Sequence, residues 1–321
     1  MSPRRVLLVG SNGLLGQKTA EMLVRGTDYQ VLLSGQEEKP VRPASAAEYV
    51  QLDISSPREV RRVVETFAPD AIINAAAMTN VDACETDRET AWRVNVEGVE
   101  HLIEAARKAG ASVYHVSTDY IFDGKEGPYT EESRPEPLSY YGKTKLASEN
   151  VLRASGVPFF VARTIVLYGF AHGVKANFVL WLLQSLENGT AVRIVDDQFA
   201  NPTLVDDLAY GIVKAVELRR TGLYNLAGRD IMNRFEFALK VAKVFGLDPA
   251  LITPIKTSQL KQAAERPLRS GLVTLKAETE LGFRPSTAEE GLTIMKNQMA
   301  RTLRQMADSG PVPGGGRHGR R

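Results

Sequence analysis

The stretch that most limits what this chain can become is its beginning. Val6-Leu7-Leu8-Val9 is apolar at every position and runs directly into Gly10-Ser11-Asn12-Gly13-Leu14-Leu15-Gly16. A short unbroken apolar run describes a strand covered on both faces, as in a parallel sheet sandwiched by helices. The Gly-x-x-Gly-x-x-Gly spacing after it describes a strand-to-helix turn. Gly10 permits the tight turn, Gly13 lets the backbone approach a pyrophosphate, and Gly16 lets the helix pack closely on the sheet. The helix N-terminus then offers unpaired N–H groups to phosphates. Three glycines in such a loop could equally do no more than relieve steric conflict, so the motif needs support from its surroundings.

That support comes from the pattern downstream. Strand-like runs at Arg5 to Gly10, Tyr29 to Ser34, Ala71 to Asn74, Ser112 to Ser117 and Phe159 to Thr164 alternate with helical spacing. The helical stretches are Leu14 to Gly26, Pro57 to Phe67, Thr86 to Ala109 and Ser139 to Ala154. Such alternation predicts an α/β fold, a doubly wound parallel sheet, over residues 1–169. Beyond Gly169 the texture changes to helices between Gly/Pro loops: Ala176 to Glu187, Leu204 to Arg219 and Arg234 to Phe245, with short strands at Val192 to Val195 and Tyr224 to Leu226. Residues 170–308 are therefore expected to form predominantly a smaller substrate lobe, one able to return strands or helices to the core. Residues 309–321, rich in proline, glycine and arginine, are expected to be a disordered tail.

Charge and composition narrow the function classes. Lys and Arg number 40 against 38 Asp and Glu, and three of those positives, Arg317, Arg320 and Arg321, lie at the very end. A near-neutral body argues against a broad nucleic-acid-binding face. One cysteine, Cys84, excludes an intramolecular disulfide and a multi-cysteine zinc site, and is read as a small buried hydrophobe. The scattered histidines His101, His115, His172 and His318 show no metal-ligand spacing and are read as structural, so no metal is expected. With no long apolar run and no signal-peptide pattern, neither membrane partners nor export are expected, and the cytoplasm is the default compartment.

Where the second strand ends, the chain reads Ser34-Gly35-Gln36 before Glu37-Glu38-Lys39. No acid occupies the tip, where a carboxylate would hold the adenosine ribose hydroxyls of NAD. With Lys39 or Arg42 able to meet a 2′-phosphate, this tilts the expectation toward NADP, while Glu37 and Glu38 keep NAD open. Further on, Asp53 beside Ile54 could hold the adenine amino group or could start a helix.

Tyr141 and Lys145 stand four apart, on one helical face. Bringing a tyrosine of ordinary pKa about 10 to ionise at neutrality needs about 4 kcal/mol of differential interaction, part of which a neighbouring ammonium could supply. Thr118 would emerge at the C-terminal end of its strand, where ligands bind in open α/β sheets, able to hydrogen-bond a substrate carbonyl. Ser117 competes for that role, and turn capping is the ordinary reason for a Ser-Thr strand end.

Together these segments resemble the extended short-chain dehydrogenases/reductases and, more narrowly, the dTDP-4-dehydrorhamnose reductase family. The motifs are Gly10 to Gly16, Asn74 to Asp82, Ser117 to Gly124, Tyr141 to Ala147, Asp197 to Thr203 and Glu265 to Pro267, in that family's order. The resemblance implies a Rossmann-like fold, with Thr118, Tyr141 and Lys145 as the catalytic set. It implies cofactor contacts from Gly10, Asn12, Gly13, Leu14, Leu15, Gly16, Asp53, Ile54, Ala75, Ala76, Ala77, Tyr141 and Lys145, and a supporting role for Asn95. Candidate substrate contacts are Thr79, Asp119, Tyr120, Val166, Gln198, Asn201 and Arg266. The expected reaction is NAD(P)H-dependent reduction of a nucleotide-linked 4-keto-6-deoxy sugar, and a homodimer is the superfamily expectation. One departure stands out: Val166 occupies the place where rhamnose-pathway reductases generally carry a tryptophan beside the sugar. The beta subunit of methionine adenosyltransferase, in the same wider group, also lacks that tryptophan. An NADP-binding regulatory subunit is therefore the alternative expectation.

Overall fold

The computed structural model describes residues 3–41 and 47–308. Arg42, His318 and the expected tail at 309–321 lie outside the described residues. The opening run forms β1 (Arg5–Val9) and the glycine turn leads into α1 (Leu14–Gly26). There follow β2 (Gln30–Gly35), β3 (Glu48–Gln51), α2 (Pro57–Phe67) and β4 (Ala71–Asn74). Then come α3 (Val81–Thr86), α4 (Arg88–Trp92), a π turn over Arg93–Glu97, α5 (Gly98–Ala109), β5 (Ser112–Thr118), α6 (Tyr140–Ala154) and β6 (Phe159–Thr164). These strands pair in parallel in the order β3-β2-β1-β4-β5-β6, and a seventh, β11 (Gly222–Asn225), lies outside β6. The doubly wound parallel sheet is thus the observed architecture.

Both faces of the sheet are covered, which explains why its strands carry no alternation. Val6 and Leu8 of β1 pack into one core with α1, while Leu7 and Val9 pack into the other with α2 and α5. β3 was not anticipated as a strand; its pattern is half-exposed, as suits the sheet's outer edge. The single helix expected over Thr86 to Ala109 is broken instead. Asp87 accepts the Thr90 N–H (3.1 Å) and starts a new helix, and the π turn follows within one further turn.

The second half adds β7 (Leu167–Tyr168), α7 (Phe178–Glu187), β8 (Val192–Val195), β9 (Phe199–Ala200) and β10 (Thr203–Leu204). After these come α8 (Val205–Glu217), β11 (Gly222–Asn225), β12 (Met232–Asn233), α9 (Arg234–Phe245), β13 (Ile252–Ile255), α10 (Leu275–Leu281) and α11 (Ala288–Asp308). Helices α7, α9 and α11 enclose a separate apolar core with Ile194, Phe237 and Leu292. The chain crosses back over the boundary at Gly169, however. Helix α8 packs in the same core as α1, and β11 pairs with β6.

One buried ion pair fixes α6 to the sheet. Arg163 on β6 donates from Nε to Glu149 Oε1 (3.0 Å) and from Nη2 to Oε2 (2.7 Å), with both side chains fully buried. Removing one partner of such a pair leaves an uncompensated buried charge, at a cost of about 3–5 kcal/mol. Arg163→Met is therefore expected to lower unfolding stability by that order in urea titration. The Arg163→Met/Glu149→Gln double variant should recover part of the loss.

Candidate active site

The glycine turn is held against the tip of β4. Gly10 adopts φ +79°, and a Cβ there would lie 2.8 Å from Ala76 N and 2.9 Å from the Ala75 carbonyl carbon. At Gly16 a Cβ would come within 2.0 Å of Gly10 O, so the helix can start only with glycine at that position. Gly13 is the N-cap of α1, with no side-chain cap bond and no acid in the first turn, which leaves the N–H groups about Leu14 and Leu15 available to an anion. Ser11 Oγ beside them is buried without a hydrogen-bond partner. A close backbone cradle, uncapped N–H groups and an orphaned hydroxyl together fit a dinucleotide pyrophosphate.

Asn12 ties the β2 tip to this turn. Its amide donates to Glu37 Oε2 (2.8 Å) and Lys39 O (3.2 Å), and its oxygen accepts Val41 N–H (2.9 Å). The strand tip itself carries no acid, yet Glu37 folds back to supply a carboxylate there. Asp53 accepts the Ser55 N–H (2.8 Å) just before α2, whose N-cap is Ser56. Burial opposes its ionisation, but the hydrogen bonds from Ser55 and Gln36 and the charge of Arg93 together outweigh burial and hold the carboxyl below the usual range. The turn role is thus visible at Asp53, while Ile54 packs beneath Gly98 of α5. At the β4 tip, Ala75 N–H donates to Val9 O (2.9 Å) and Ala76 N–H to Asn74 Oδ1 (3.1 Å), and Ala77 follows half-buried.

Thr118 is the last residue of β5, and Tyr141 and Lys145 share one face of α6. The helix begins under Ser139, which accepts the Gly142 N–H (3.2 Å). Asn95, in the π turn, supports it from behind. Its oxygen accepts Met78 N–H (2.8 Å) and its amide donates to Thr144 Oγ1 (3.1 Å), while Thr144 in turn donates to Tyr141 O (2.8 Å). Burial and the Asp119 carboxylate push the Tyr141 phenol well up from its usual range, opposed by the Thr118 hydroxyl. Helix α6 packs on β5, whose last residue is Thr118. Lys145 Nζ turns instead to His115 Nε2 (3.1 Å), and burial pushes its pKa down to about 8, against the pull of Glu149. The expected lowering of the phenol by this ammonium is not what the geometry gives; desolvation wins. Ser117 Oγ is buried without a partner on the opposite face of the strand.

Among the candidate substrate contacts, Asp119 and Tyr120 flank the site. Thr118 Oγ1 donates to Asp119 Oδ1 (3.1 Å), and the Tyr120 and Tyr141 rings meet edge-on with centroids 5.7 Å apart. Thr79 is exposed beyond Met78. Arg266 makes a two-pronged pair with Asp82 of α3 (2.6 and 3.1 Å). Val166, half-buried, holds φ +44°, a rare conformation for a β-branched residue. Gln198 donates to Thr257 Oγ1 (3.0 Å). Asn201 spends its amide on the backbone, donating to Gly228 O and Leu272 O and accepting Leu272 N–H, so it clips loops together and is not free for a ligand.

Two residues escaped the sequence reading. Arg234, the first residue of α9, has its guanidinium carbon 5.2 Å from the Phe178 ring centroid and makes no ion pair among the described residues. Burial lowers its pKa, opposed by Tyr120 and Asp119. His115 is the other; its helical and strand neighbours give no sign in sequence that it faces Lys145. Cys84 is buried and its thiol is pushed up to about 11 by burial, as suits an inert side chain.

With this geometry in place, a family model described as the RmlD substrate binding domain matches residues 4–301. The chain belongs to this family. It is 33% identical over 301 residues to the dTDP-4-dehydrorhamnose reductase of Aggregatibacter actinomycetemcomitans, covering 90% of this chain and 97% of the relative. It is also 29% identical over 282 residues to methionine adenosyltransferase 2 subunit beta of Rattus norvegicus, covering 86% and 82%. Among solved structures, a dTDP-4-dehydrorhamnose reductase from Clostridium acetobutylicum superposes with TM-score 0.83 at 29% identity, covering 92% of this chain and 99% of that one. The Bacillus anthracis reductase in complex with NADP gives 0.80 at 28% identity, covering 92% and 100%.

The fully buried Asp119 titrates unusually high. Burial raises its pKa from 3.8 to about 6, so the folded carboxyl holds its proton where the unfolded one releases it. Stability is then lost as pH rises from about 4 to 6 and stays lower above that window, by on the order of 2–3 kcal/mol. Asp119→Asn is expected to be more stable than wild type at pH 7, with the difference closing below pH 4, as read by denaturant unfolding at each pH.

Proposed function

We propose that this chain is an NAD(P)H-dependent reductase of a nucleotide-linked 4-keto-6-deoxy sugar, converting dTDP-4-dehydro-L-rhamnose to dTDP-L-rhamnose. The observation that carries the reading is the placing of Thr118 at the C-terminal end of β5, with Tyr141 and Lys145 on one face of the helix packed on that strand, at the same edge of the parallel sheet as the glycine turn, in a member of this family. Nicotinamide, when bound, supplies the hydride. Tyr141 donates a proton to the carbonyl oxygen as it becomes an alcohol, and a phenol held protonated by burial suits donation. Thr118 Oγ1 orients that oxygen by hydrogen bonding. Lys145 holds the nicotinamide ribose. Gly10 to Gly16 and the β4 tip at Ala75 to Ala77 hold the rest of the dinucleotide. NADP and NAD are both within reach of the β2 tip, where Glu37 favours ribose hydroxyls and Lys39 favours a 2′-phosphate.

With Val166 in place of an aromatic platform, the aromatic ring beside Tyr141 is that of Tyr120. Arg234 and Arg266 would face the substrate's diphosphate across the small lobe. The cytoplasm and a homodimer complete the reading; no helix among the described residues is long and apolar enough to cross a membrane. The similarity to a methionine adenosyltransferase beta subunit supports a second reading, a nucleotide-binding regulatory subunit.

Tyr141→Phe is expected to lower kcat by about 10²–10⁴-fold, read by NAD(P)H oxidation with keto sugar nucleotides. No turnover by wild type on any such substrate, with stable co-purification of a partner enzyme, would instead support the regulatory reading. Loss of a charge-assisted contact in Arg234→Met should raise KM for the sugar nucleotide about 10–100-fold and leave KM for NADH unchanged.

A further inference from the structure

Beneath the reacting groups runs a buried polar chain that the proton transfer itself does not use. His115, on the face of β5 that α6 covers, is almost wholly buried. Its Nε2 lies 3.1 Å from Lys145 Nζ and 3.1 Å from Ser148 Oγ, and its Nδ1 lies 3.2 Å from Asn74 Nδ2 at the tip of β4. Ser148 Oγ donates to Lys145 O (2.7 Å), so toward His115 it can accept. Among the described residues, His115 is the one hydrogen-bond partner of Lys145 Nζ.

One proton arrangement satisfies every contact of this chain, and a second gives up two of them to let Lys145 carry its charge. In the first, the Asn74 amide nitrogen donates to Nδ1 while Asn74 Oδ1 receives the Ala76 N–H; the ring proton is then on Nε2, facing Ser148 Oγ and a neutral Lys145 amine. In the second, Lys145 is an ammonium and donates to Nε2. The ring proton must then sit on Nδ1 and Asn74 must turn its oxygen toward it, which gives up the Ala76 N–H bond and leaves Ser148 Oγ without a proton from Nε2. Both keep His115 neutral, and burial together with the nearby Lys145 holds its pKa well below the ordinary range.

We propose that His115 is a positioning residue for Lys145: it holds the amine beneath the reaction site and links the amine's charge to the orientation of the Asn74 amide beside Ala76. The proposal rests on the reductase reading for what Lys145 does, but its geometry stands apart from that reading. The other groups bearing on the amine are few. Glu149, on the same helix, is paired with Arg163 of β6 and with Arg153, while Asn74 of β4 and Ser148 of α6 are neutral. Lys145 in this setting titrates near 8, so small changes in its partner move its charge across the working range.

The test compares His115→Leu and His115→Gln with wild type, reading NADH affinity by nicotinamide fluorescence and kcat/KM, both across pH. Wild type should lose affinity and kcat/KM as pH rises through about 8, where Lys145 gives up its charge. In His115→Leu the ammonium has no acceptor, so the limb should move down by about one pH unit, a loss of about tenfold at pH 8. In His115→Gln the amide oxygen accepts from the ammonium, and the limb should return to near the wild-type position. Should the leucine variant not fold, His115→Phe, closer in volume, is read in its place. A folded apolar variant with an unmoved limb would overturn the proposal, as would a glutamine variant indistinguishable from the apolar one. Absence of sugar reduction by wild type would sink the reductase reading alone, since the NADH-binding limb still decides the role of His115.

Discussion

Everything at this site depends on how firmly helix α6 is seated on the sheet. Glu149, two turns from Tyr141, is locked to Arg163 of β6 by two hydrogen bonds, with both side chains fully buried. Arg163 Nη1 reaches on to Glu131 O (3.2 Å), and its guanidinium carbon stands 5.5 Å from the Phe122 ring centroid, so the pair also anchors the segment that leaves the site. At the other end of the helix, Gly142 lies so near the Tyr120 carbonyl that a Cβ would come within 2.1 Å of it. Clamped at both ends, α6 can present a phenol and an amine at fixed depth. Position of this kind is what lets a small set of side chains act together on one carbonyl.

Dryness is the second consequence of that seating. Tyr141, Lys145 and Asp119 are all buried, and each is pushed toward its uncharged form: the phenol and the carboxyl upward, the amine downward. The direction agrees with reduction, in which a protonated acid must give its proton to an oxygen gaining charge. The same dryness makes every hydrogen bond around these groups count for more than it would in water. It explains why neutral partners such as Asn95, Thr144, Asn74 and Ser148 are drawn up behind the reacting face.

Much of this was legible in the order of the residues. A run apolar at four successive positions before Gly10 can be satisfied only inside a sheet covered twice, and the glycine spacing follows from backbone contacts that leave no room for a Cβ. Tyr141 and Lys145 share a face because helical geometry requires it. Illegible were features that depend on distant segments. The break at Asp87 turns on one side-chain cap, which a helical apolar pattern overrides in sequence. Asn201 reads as a polar residue in a loop near the substrate, yet its amide is consumed by carbonyls at 228 and 272. His115 gains its meaning only when β4, β5 and α6 come side by side, and Glu37 reaches the turn from beyond the strand tip by folding back.

The seventh strand of the sheet, Gly222–Asn225, arrives more than fifty residues after β6, its neighbour. While the chain emerges from the ribosome, β6 must therefore wait with one row of backbone N–H and C=O groups unpaired, an invitation to pairing with another nascent chain. A fragment stopped at Gly169 would keep that open border permanently and would also leave α1 without the cover of α8. The nucleotide half is thus not a separable module that could be spliced elsewhere: its completion is deferred to the half that was expected to hold the sugar.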